Sequence, residues 1–318
     1  MYGAVMKILI AGKYKKLCSF FTIPCEFLNF EKPNDFKKLK NNVDTILYID
    51  RSSYSKEVFD KIIETVKHKK IFWGILDPRN QIDDPAQLFF MGTADYIGKV
   101  ILEQKISINR IHAINAFINN CENETIELPS FPGWNKLVPK QEYSFIFLII
   151  SLNLSDEYKK SLGDKRVEYI KNLFLNYLLH ITSDTGMLWM SDGSYALLLF
   201  PPEHSETALR VAMQTVINAI PINYEYFKVP NMLQLTFALH YGTTPWEKAG
   251  KTGNIISSDI NFIHHVIKKI AKPNIILASQ DFFNLMPAKY KALFTEDKPF
   301  EGHLLYRSIK YNTVKKRK

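Results

Sequence analysis

Two aspartates in this sequence occupy positions where a carboxylate can do chemistry. Asp50 follows a predicted strand, and Asp192 precedes Gly193 between two predicted strands. A carboxylate at either place can hold a divalent cation, because hard cations prefer carboxylate oxygens as ligands. Both residues also have a structural interpretation, since strand-end carboxylates cap turns and Asp-Gly suits a tight hairpin turn. We favour the structural interpretation for both.

Several histidines and one glycine-rich segment give weaker signals. His264 and His265 are adjacent on a predicted helix and do not share a face, so they make a poor metal pair. His240 is expected to be a packed strand residue. The segment Gly250–Gly253 reads Gly-Lys-Thr-Gly but lacks the upstream glycine and the preceding strand of a phosphate-binding loop.

The composition predicts a cytoplasmic protein with two ordinary cores. The chain has 318 residues, of which 46% are hydrophobic, and one core rarely serves more than about 250 residues. Cys18, Cys25 and Cys121 form no C-x-x-C pair, which predicts buried, reduced thiols and neither a disulfide framework nor a zinc site. The apolar run Phe145–Leu154 is too short to cross a bilayer, and no basic segment precedes the apolar start. We expect neither a membrane span nor a signal peptide.

The formal net charge of +9 does not by itself indicate a nucleic-acid partner. The 41 Lys and Arg residues are spread along the chain and concentrate only in a basic tail, residues 313–318. Nucleic-acid-binding proteins typically have a basic stripe interleaved with aromatic residues, or a known reading motif. The sequence has neither, so we expect no nucleic-acid binding.

The first 120 residues alternate short apolar runs with helix-length segments, as in a parallel sheet covered by helices. The predicted strands are Lys7–Ala11, Glu26–Phe30, Thr45–Ile49, Ile71–Leu76 and Tyr96–Ile97. The predicted helices are Asp35–Asn41, Lys56–His68, Ala86–Met91 and Ser107–Asn119. The pattern predicts an α/β, doubly wound, flavodoxin-like domain over residues 1–120.

The segment Phe90–Lys99 resembles the end of a response-regulator receiver domain, where a small-residue turn leads to a strand with Tyr and then to Lys. The resemblance implies that Lys99 matches the family's phosphate-sensing lysine and that Asp50 lies near the place of its phosphoacceptor. Receivers hold Mg²⁺ with an acidic pair after the first strand. Here that stretch, Ile10–Tyr14, contains a lysine and no carboxylate. We therefore expect a degenerate receiver-like fold without phosphotransfer.

A linker, residues 121–140, is interrupted by three prolines and a glycine and separates this domain from the second half. The second half has the element order β-α-β-β-α-β, which predicts an α+β, ferredoxin-like sandwich over residues 141–312. Its predicted elements are a strand at Tyr143–Leu154, a helix at Lys165–Ile181, a hairpin of the strands Gly186–Met190 and Tyr195–Phe200, a helix at Glu206–Ile220 and a strand at Leu233–Tyr241.

Four segments of the second half resemble a class III adenylate/guanylate cyclase homology domain and occur in that family's order. They are the central hairpin Gly186–Phe200, the strand Leu235–Gly242 with a His-x-Gly turn, the helix start Asp259–His265 and the strand Ala271–Ser279. The resemblance extends from Tyr143 to Tyr311 and implies a cyclase-type fold for the C-terminal domain.

By that resemblance, much of the cyclase site is missing. The family's two metal-binding aspartates align with Ser151 and Asp192, so at most one carboxylate remains for metal. The purine-recognising lysine aligns with Leu188, and the transition-state pair becomes Asn261 and His265. A histidine is mostly neutral at pH 7 and shorter than arginine, so it stabilises phosphate charge less well. Asn261 can also be interpreted as the cap of its helix.

We predict a signalling protein whose pseudo-receiver and degenerate cyclase-like domain act as dimerisation, partner-binding or nucleotide-sensing modules, without enzymatic activity. The expected partners are a second copy of the chain or another signalling protein, with a purine nucleotide as the candidate small ligand. No cofactor is expected, and Mg²⁺ or Mn²⁺ would bind only if nucleotide binding is retained. The alternative is a cyclase subunit that is active with a complementing partner. A GGDEF-type diguanylate cyclase is a third hypothesis, but the hairpin has Ser-Asp-Gly-Ser-Tyr instead of that signature.

Overall fold

The described residues of this chain fall into two compact units. The computed structural model describes residues 7–42, 44–83, 87–88, 91–102, 106–118, 130–154, 156–182, 185–219, 234–249 and 257–311. Unit 1 contains the described residues up to 118 together with Tyr311, and unit 2 contains those from 130 to 310. The predicted basic tail, the Gly250–Gly253 segment and the first part of the linker lie outside the described residues.

Unit 1 is built on a five-stranded parallel sheet. Its strands are β1 (Lys7–Ala11), β2 (Cys25–Leu28), β3 (Thr45–Asp50), β4 (Trp73–Asp77) and β5 (Asp95–Gly98). The strand order is β2-β1-β3-β4-β5, and every neighbouring pair is parallel. This is the strand order of flavodoxin-like sheets. The carboxyl ends of β1, β3, β4 and β5 therefore lie along one edge of the sheet.

The helices of unit 1 follow the predicted pattern only in part. They are α1 (Pro33–Phe36), α2 (Lys56–His68), α3 (Lys99–Leu102) and α4 (Ile108–Ile118). The prediction of α2 is confirmed at both ends, because Ser55 caps it and an apolar stripe at Phe59, Ile62 and Val66 is buried. The prediction of a helix over Asp35–Asn41 is wrong, since the helix ends at Phe36. Half of the predicted helix Ala86–Met91 lies outside the described residues, and of the rest residues 87–88 are helical.

Unit 2 is built on a seven-stranded mixed sheet. Its strands are β6 (Glu142–Asn153), β7 (Met187–Ser191), β8 (Tyr195–Phe200), β9 (Gln234–Pro245), β10 (Ile276–Ser279), β11 (Phe294–Glu296) and β12 (Leu305–Ser308). The order is β11-β12-β10-β9-β6-β8-β7. Strands β6 and β9 pair antiparallel along their whole length and form the centre of the sheet.

The helices of unit 2 connect these strands in the predicted order, with α6 between β6 and β7 and α7 between β8 and β9. The helices are α5 (Asp156–Leu162), α6 (Asp164–Thr182), α7 (Ser205–Ile217), α8 (Ser258–His265), α9 (Gln280–Leu285) and α10 (Ala288–Lys291). The β-α-β-β-α-β order of residues 142–245 is thus confirmed. None of the helices among the described residues has the length and apolar character to cross a membrane.

One face of the β6–β8 region is covered by aromatic side chains and by α8. The odd-numbered residues Phe145, Phe147 and Ile149 point to this face, because side chains alternate along a strand, and they pack with Ile260 and Ile263 of α8. Three tryptophans add to the same cluster: Trp134 stacks on Phe145 at 6.0 Å between ring centroids, and Trp189 stacks on Trp246 at 6.1 Å. Ser151 lies near the end of β6, beyond this apolar cluster.

Candidate functional site

The turn between β7 and β8 is built around Asp192. Its Oδ1 atom accepts hydrogen bonds from the Ser194 backbone N–H at 2.8 Å, from the Ser194 hydroxyl at 2.7 Å and from the Tyr195 backbone N–H at 2.9 Å. Gly193 has a φ of 83°, a left-handed conformation that glycine adopts without steric cost. Asp192 therefore stabilises a tight turn, in line with its structural interpretation.

Ser151 lies beside the same turn. It is paired with Tyr195 across β6 and β8, and its hydroxyl is 3.5 Å from the Ser194 carbonyl oxygen. The fold thus brings together the two positions, Ser151 and Asp192, that the resemblance assigned to metal binding. Only one of them carries a carboxylate, and a hydroxyl is a poor replacement for a bridging carboxylate around a hard divalent cation.

A lysine that was not among the predicted site residues also lies over this turn. The Cδ atom of Lys171, from α6, is 3.3 Å from the place that a Cβ on Gly193 would take. Partial burial raises the pKa of Asp192, but hydrogen bonds from Ser194 and Tyr195 and the charge of Lys171 outweigh burial and hold that pKa below its ordinary value. Asp192 is therefore ionised at neutral pH and already has a cation as its neighbour.

The histidine that approaches this turn is His264 and not the predicted His265. The His264 ring meets the Tyr195 ring edge-on, with centroids 5.1 Å apart. Burial and the nearby charge of Lys268 lower the pKa of His264, while the charge of Asp192 acts in the opposite direction. His264 is consequently neutral at pH 7 and can offer a hydrogen bond but no positive charge.

His265 has a different environment. Its Nδ1 atom is 2.8 Å from Oε1 of Glu301, in a half-exposed hydrogen-bond contact. Asn261 is an exposed residue inside α8, and the interpretation of Asn261 as a helix cap is wrong because Ser257 caps α8. The apolar stripe of α8 could have identified His264, since it follows the buried Ile260 by four residues and so lies on the same face.

The position aligned with the purine-recognising lysine is distorted. Strand β7 has a bulge between Leu188 and Met190, and the extra residue, Trp189, turns into the aromatic cluster, where its indole N–H donates to the Glu247 carbonyl at 2.6 Å. A bulge re-aims the side chains on either side of it. Leu188 itself is half-buried and offers no group that could hydrogen-bond a purine.

In unit 1, the carboxylate of Asp50 is buried and fully engaged. Its Oδ1 accepts from the Ser52 backbone N–H at 3.0 Å and from the Ser52 hydroxyl at 2.7 Å, and its Oδ2 accepts from the Ser53 hydroxyl at 2.5 Å. A Cβ on Gly12 would lie 2.7 Å from the Asp50 Cβ, so the loop after β1 packs directly on this side chain. The Asp50 carboxylate is thus held by Ser52 and Ser53 within its own turn.

Lys99 and a second strand-end carboxylate share that edge of the sheet. Lys99 follows β5 and is exposed, and its backbone N–H donates to the Asn80 side chain at 3.0 Å. Asp77 ends β4 and is buried, with its Oδ2 accepting from the Ile82 backbone N–H at 2.8 Å and from the Tyr96 hydroxyl at 3.1 Å. Sequence reasoning missed Asp77, although its place at the end of a buried strand resembles that of Asp50.

His240 is a packed strand residue, as predicted. It is 2% exposed, its Nδ1 lies 2.8 Å from the Ser279 hydroxyl, and its Nε2 lies 3.6 Å from Asp259. The nearby His240 ring is the main cause that lowers the pKa of Asp259, which also accepts a hydrogen bond from the Thr243 backbone N–H. This cluster connects β9, β10 and α8, so its role is to hold elements of unit 2 together.

Metal-binding and ligand-binding features are sparse elsewhere in the part of the chain that the structure describes. Within those residues, no three His, Cys, Asp or Glu side chains are grouped closely enough to hold a metal ion. A surface cavity of about 330 Å³ is lined by Phe131, Glu142, Tyr143, Ser144 and Thr243, among others. It lies at the start of β6, at the opposite end from Ser151, and contains none of the predicted site residues.

Comparison with known proteins gives structural similarity only. Neither a protein-family profile nor a curated protein sequence matches this chain. Among solved structures, the guanylyl cyclase Cya2 matches with a TM-score of 0.44 and 10% identity, covering 54% of this chain and 93% of Cya2.

Two further matches are also described as cyclases. The guanylate cyclase domain of RhGC from Catenaria anguillulae, in complex with GTP, matches with a TM-score of 0.42 and 13% identity, covering 54% of this chain and all of that domain. A bacterial light-regulated adenylyl cyclase matches with a TM-score of 0.46 and 13% identity, covering 66% of this chain and 59% of the cyclase.

Proposed function

We propose that this chain is a nucleotide-cyclase-related signalling protein whose unit 2 acts as a binding module without cyclase activity. The observation that carries the proposal is the environment of Asp192. This residue is the one carboxylate at the two positions aligned with the family's metal ligands, and one of its oxygens already accepts three hydrogen bonds within the turn. Two metal ions need more carboxylate than this turn provides.

The rest of the cyclase-like region supports a loss of catalysis. Lys171 supplies a fixed positive charge beside Asp192, which disfavours the binding of a divalent cation by like-charge repulsion. The bulge at Trp189 distorts the position aligned with purine recognition. His265 contacts Glu301. A partner subunit that supplied the metal ligands would therefore still lack the arginine that this family uses to stabilise the transition state. This arrangement speaks against the alternative of a cyclase subunit completed by a partner.

For unit 1 we propose a receiver-related module that does not accept a phosphoryl group. Support comes from Asp50, whose two oxygens accept hydrogen bonds from Ser52 and Ser53, and from Lys13, which stands where receivers have an acidic side chain. Both units would then serve as binding surfaces in the cytoplasm. The proposed partners are a second copy of the chain, another signalling protein or a purine nucleotide.

Calorimetric titration with ATP and with GTP in the presence of Mn²⁺, combined with a cyclic-nucleotide assay on the same sample, tests this proposal. We expect no cyclic product from the unmodified protein. Asp192→Asn is the matched control, because Asn keeps an oxygen for the turn and Asn-Gly also suits a tight hairpin, while the negative charge is lost. Product formation that Asp192→Asn abolishes would refute the proposal.

A second variant tests whether the serine at position 151 limits metal binding. Ser151→Asp restores the second carboxylate beside Asp192, and we expect it to bind Mn²⁺ more tightly than the unmodified protein does. Equal Mn²⁺ affinity in both proteins would mean that the serine is not what limits metal binding. Light scattering of the unmodified protein then distinguishes a self-associating module from one that needs a different partner.

A further inference from the structure

Cys18 and Cys25 lie against each other in unit 1, although their spacing along the chain does not predict a pair. Cys18 belongs to the 3₁₀ turn Lys15–Phe20, and Cys25 begins β2. The Cys25 thiol donates to the Cys18 carbonyl oxygen at 3.5 Å and also reaches the Cys18 side chain. Both residues are partly exposed, so the prediction of buried cysteines is wrong for these two.

Contacts before and after Cys25 in the chain fix the positions of the two cysteines. Between the two cysteines, the Phe21 backbone N–H donates to the Cys18 carbonyl at 3.2 Å, and the buried Phe21 ring packs on Tyr48 with centroids 5.1 Å apart. Beyond Cys25, β2 pairs in parallel with β1. The hydrogen bond to the Cys18 carbonyl puts the Cys25 sulfur within about 6 Å of the Cys18 Cα. A disulfide requires the two Cα atoms to lie about 4.4–6.8 Å apart, so forming one needs rotation of the Cys25 side chain from the Cys18 carbonyl towards the Cys18 sulfur.

We propose that Cys18 and Cys25 form a reversible disulfide, a redox-sensitive modification site that ties the turn after β1 to the edge strand β2. The oxidant is a small-molecule disulfide such as glutathione disulfide. The bridge closes a loop of only a few residues at the partly exposed edge of the sheet. Disulfides of intracellular proteins are usually transient ones of this kind.

The reaction proceeds by two exchange steps. The Cys18 thiolate attacks one sulfur of glutathione disulfide, which breaks that S–S bond, releases one glutathione thiolate and leaves Cys18 joined to the other glutathione. The Cys25 thiolate then attacks the Cys18 sulfur and releases the second glutathione. The two cysteine sulfurs lose two electrons, the two glutathione sulfurs gain them, and the two thiol protons end on the released glutathione.

Burial slows the reaction of the Cys25 thiol. Burial, followed by the interaction with Cys18, raises the pKa of Cys25 to about 12, so Cys25 is protonated at neutral pH. Because the thiolate is the nucleophile in exchange, attack by Cys25 becomes faster as the pH rises. The bridge also constrains the unfolded chain, which stabilises the folded state, and the melting temperature of unit 1 should rise by several degrees on oxidation.

The test uses the full-length chain with Cys121→Ser, in which Cys18 and Cys25 are the only thiols. The protein is equilibrated in buffers with increasing ratios of oxidised to reduced glutathione, and remaining thiols are trapped by alkylation. We expect the tryptic peptide of residues 17–37, which contains both cysteines, to lose the mass of two hydrogen atoms and to regain it with dithiothreitol. The folded protein should reach half oxidation at a ratio about tenfold lower than the same protein in guanidinium chloride.

Cys18→Ser and Cys25→Ser, each with Cys121→Ser, are the matched controls. Each retains one thiol and should give only a glutathione adduct, and circular dichroism establishes that each is folded. The inference is overturned if the two-thiol protein gives only adducts or linked dimers, or if folding does not favour the bridge over the denatured chain.

Discussion

The carboxylates of Asp50 in unit 1 and Asp192 in unit 2 accept similar hydrogen bonds in two different environments. Both accept hydrogen bonds from serine residues two or three positions further along the chain. Asp50 is fully buried, whereas Asp192 is exposed on a hairpin turn. If a hydrogen-bond donor is removed, water can take its place at the exposed Asp192 but not at the buried Asp50. Similar hydrogen bonds should therefore contribute more to the unfolding free energy at Asp50 than at Asp192.

The buried carboxylate of Asp95 extends the contrast between the units. Asp95 in unit 1 accepts hydrogen bonds from the Tyr48 hydroxyl at 2.7 Å and from Arg110 Nε at 3.2 Å, and forms a closer contact with Arg110 Nη2. Burial, with the charge of Asp95, raises the pKa of Tyr48 far above its ordinary value, so Tyr48 stays a hydrogen-bond donor. In unit 2, the pair Arg307–Asp297 is half-exposed and separated by 4.0 Å.

The largest expected effect is that of Arg110→Met. The substitution leaves the charge of Asp95 buried without its partner, and breaking a buried pair in this way costs about 3–5 kcal/mol of unfolding free energy. Urea unfolding, with hydrogen exchange of the strands of unit 1, measures the loss. Arg307→Met is the control and should change the unfolding free energy by at most about 1 kcal/mol, as for other exposed pairs.

A double variant separates lost charge pairing from lost packing. Asp95→Asn combined with Arg110→Met removes both charges and should recover much of the stability that Arg110→Met loses. If the double variant is as unstable as the single one, packing of the arginine side chain and not its charge maintains the fold there.

Two matched serine substitutions compare the hydrogen bonds to Asp50 and to Asp192. Ser53→Ala removes a donor to a buried carboxylate and also the acceptor of the Lys13 backbone N–H, so we expect a loss of about 1–3 kcal/mol. Ser194→Ala removes the hydroxyl donor to Asp192, where water takes its place, and should cost no more than about 0.5 kcal/mol. Equal losses of unfolding free energy in urea would mean that burial does not determine how much these serine hydroxyls stabilise the fold.

The smallest expected effect concerns the pH dependence that His264 adds to unit 2. Because the folded-state pKa of His264 lies below the ordinary value of 6.5, the unfolded chain binds a proton there more readily. This contribution lowers stability as pH falls from about 6.5 to the folded-state pKa and changes no further below it. His264→Gln should flatten the unfolding free energy over that interval, and an NMR titration should place the His264 pKa below 6.5. An unchanged pH profile would show that His264 is not perturbed.

Much of the secondary structure could be predicted from the sequence because local patterns determine it. The strand Lys7–Ala11 and the helix Lys56–His68 have their predicted bounds, since apolar periodicity and a serine cap define them. The strands β6, β7 and β8 and the helix α6 were predicted to within one residue of their observed ends. The predicted helix Asp35–Asn41 was wrong, because Asp35 accepts from the backbone N–H groups of Glu31 and Lys32 and so belongs to a short first turn.

The candidate site was less predictable, because it depends on which side chains meet across elements. The sequence by itself determined the residue types at the aligned positions: a serine at 151, a single carboxylate at 192 and a leucine at 188. Only the tertiary structure decided that Lys171 and His264 approach Asp192, that Trp189 distorts β7, and that Cys18 meets Cys25. Local sequence patterns depend on interactions between residues that are close along the chain. These contacts instead join residues that are far apart in the sequence or on different elements, and strand pairing and core packing bring them together.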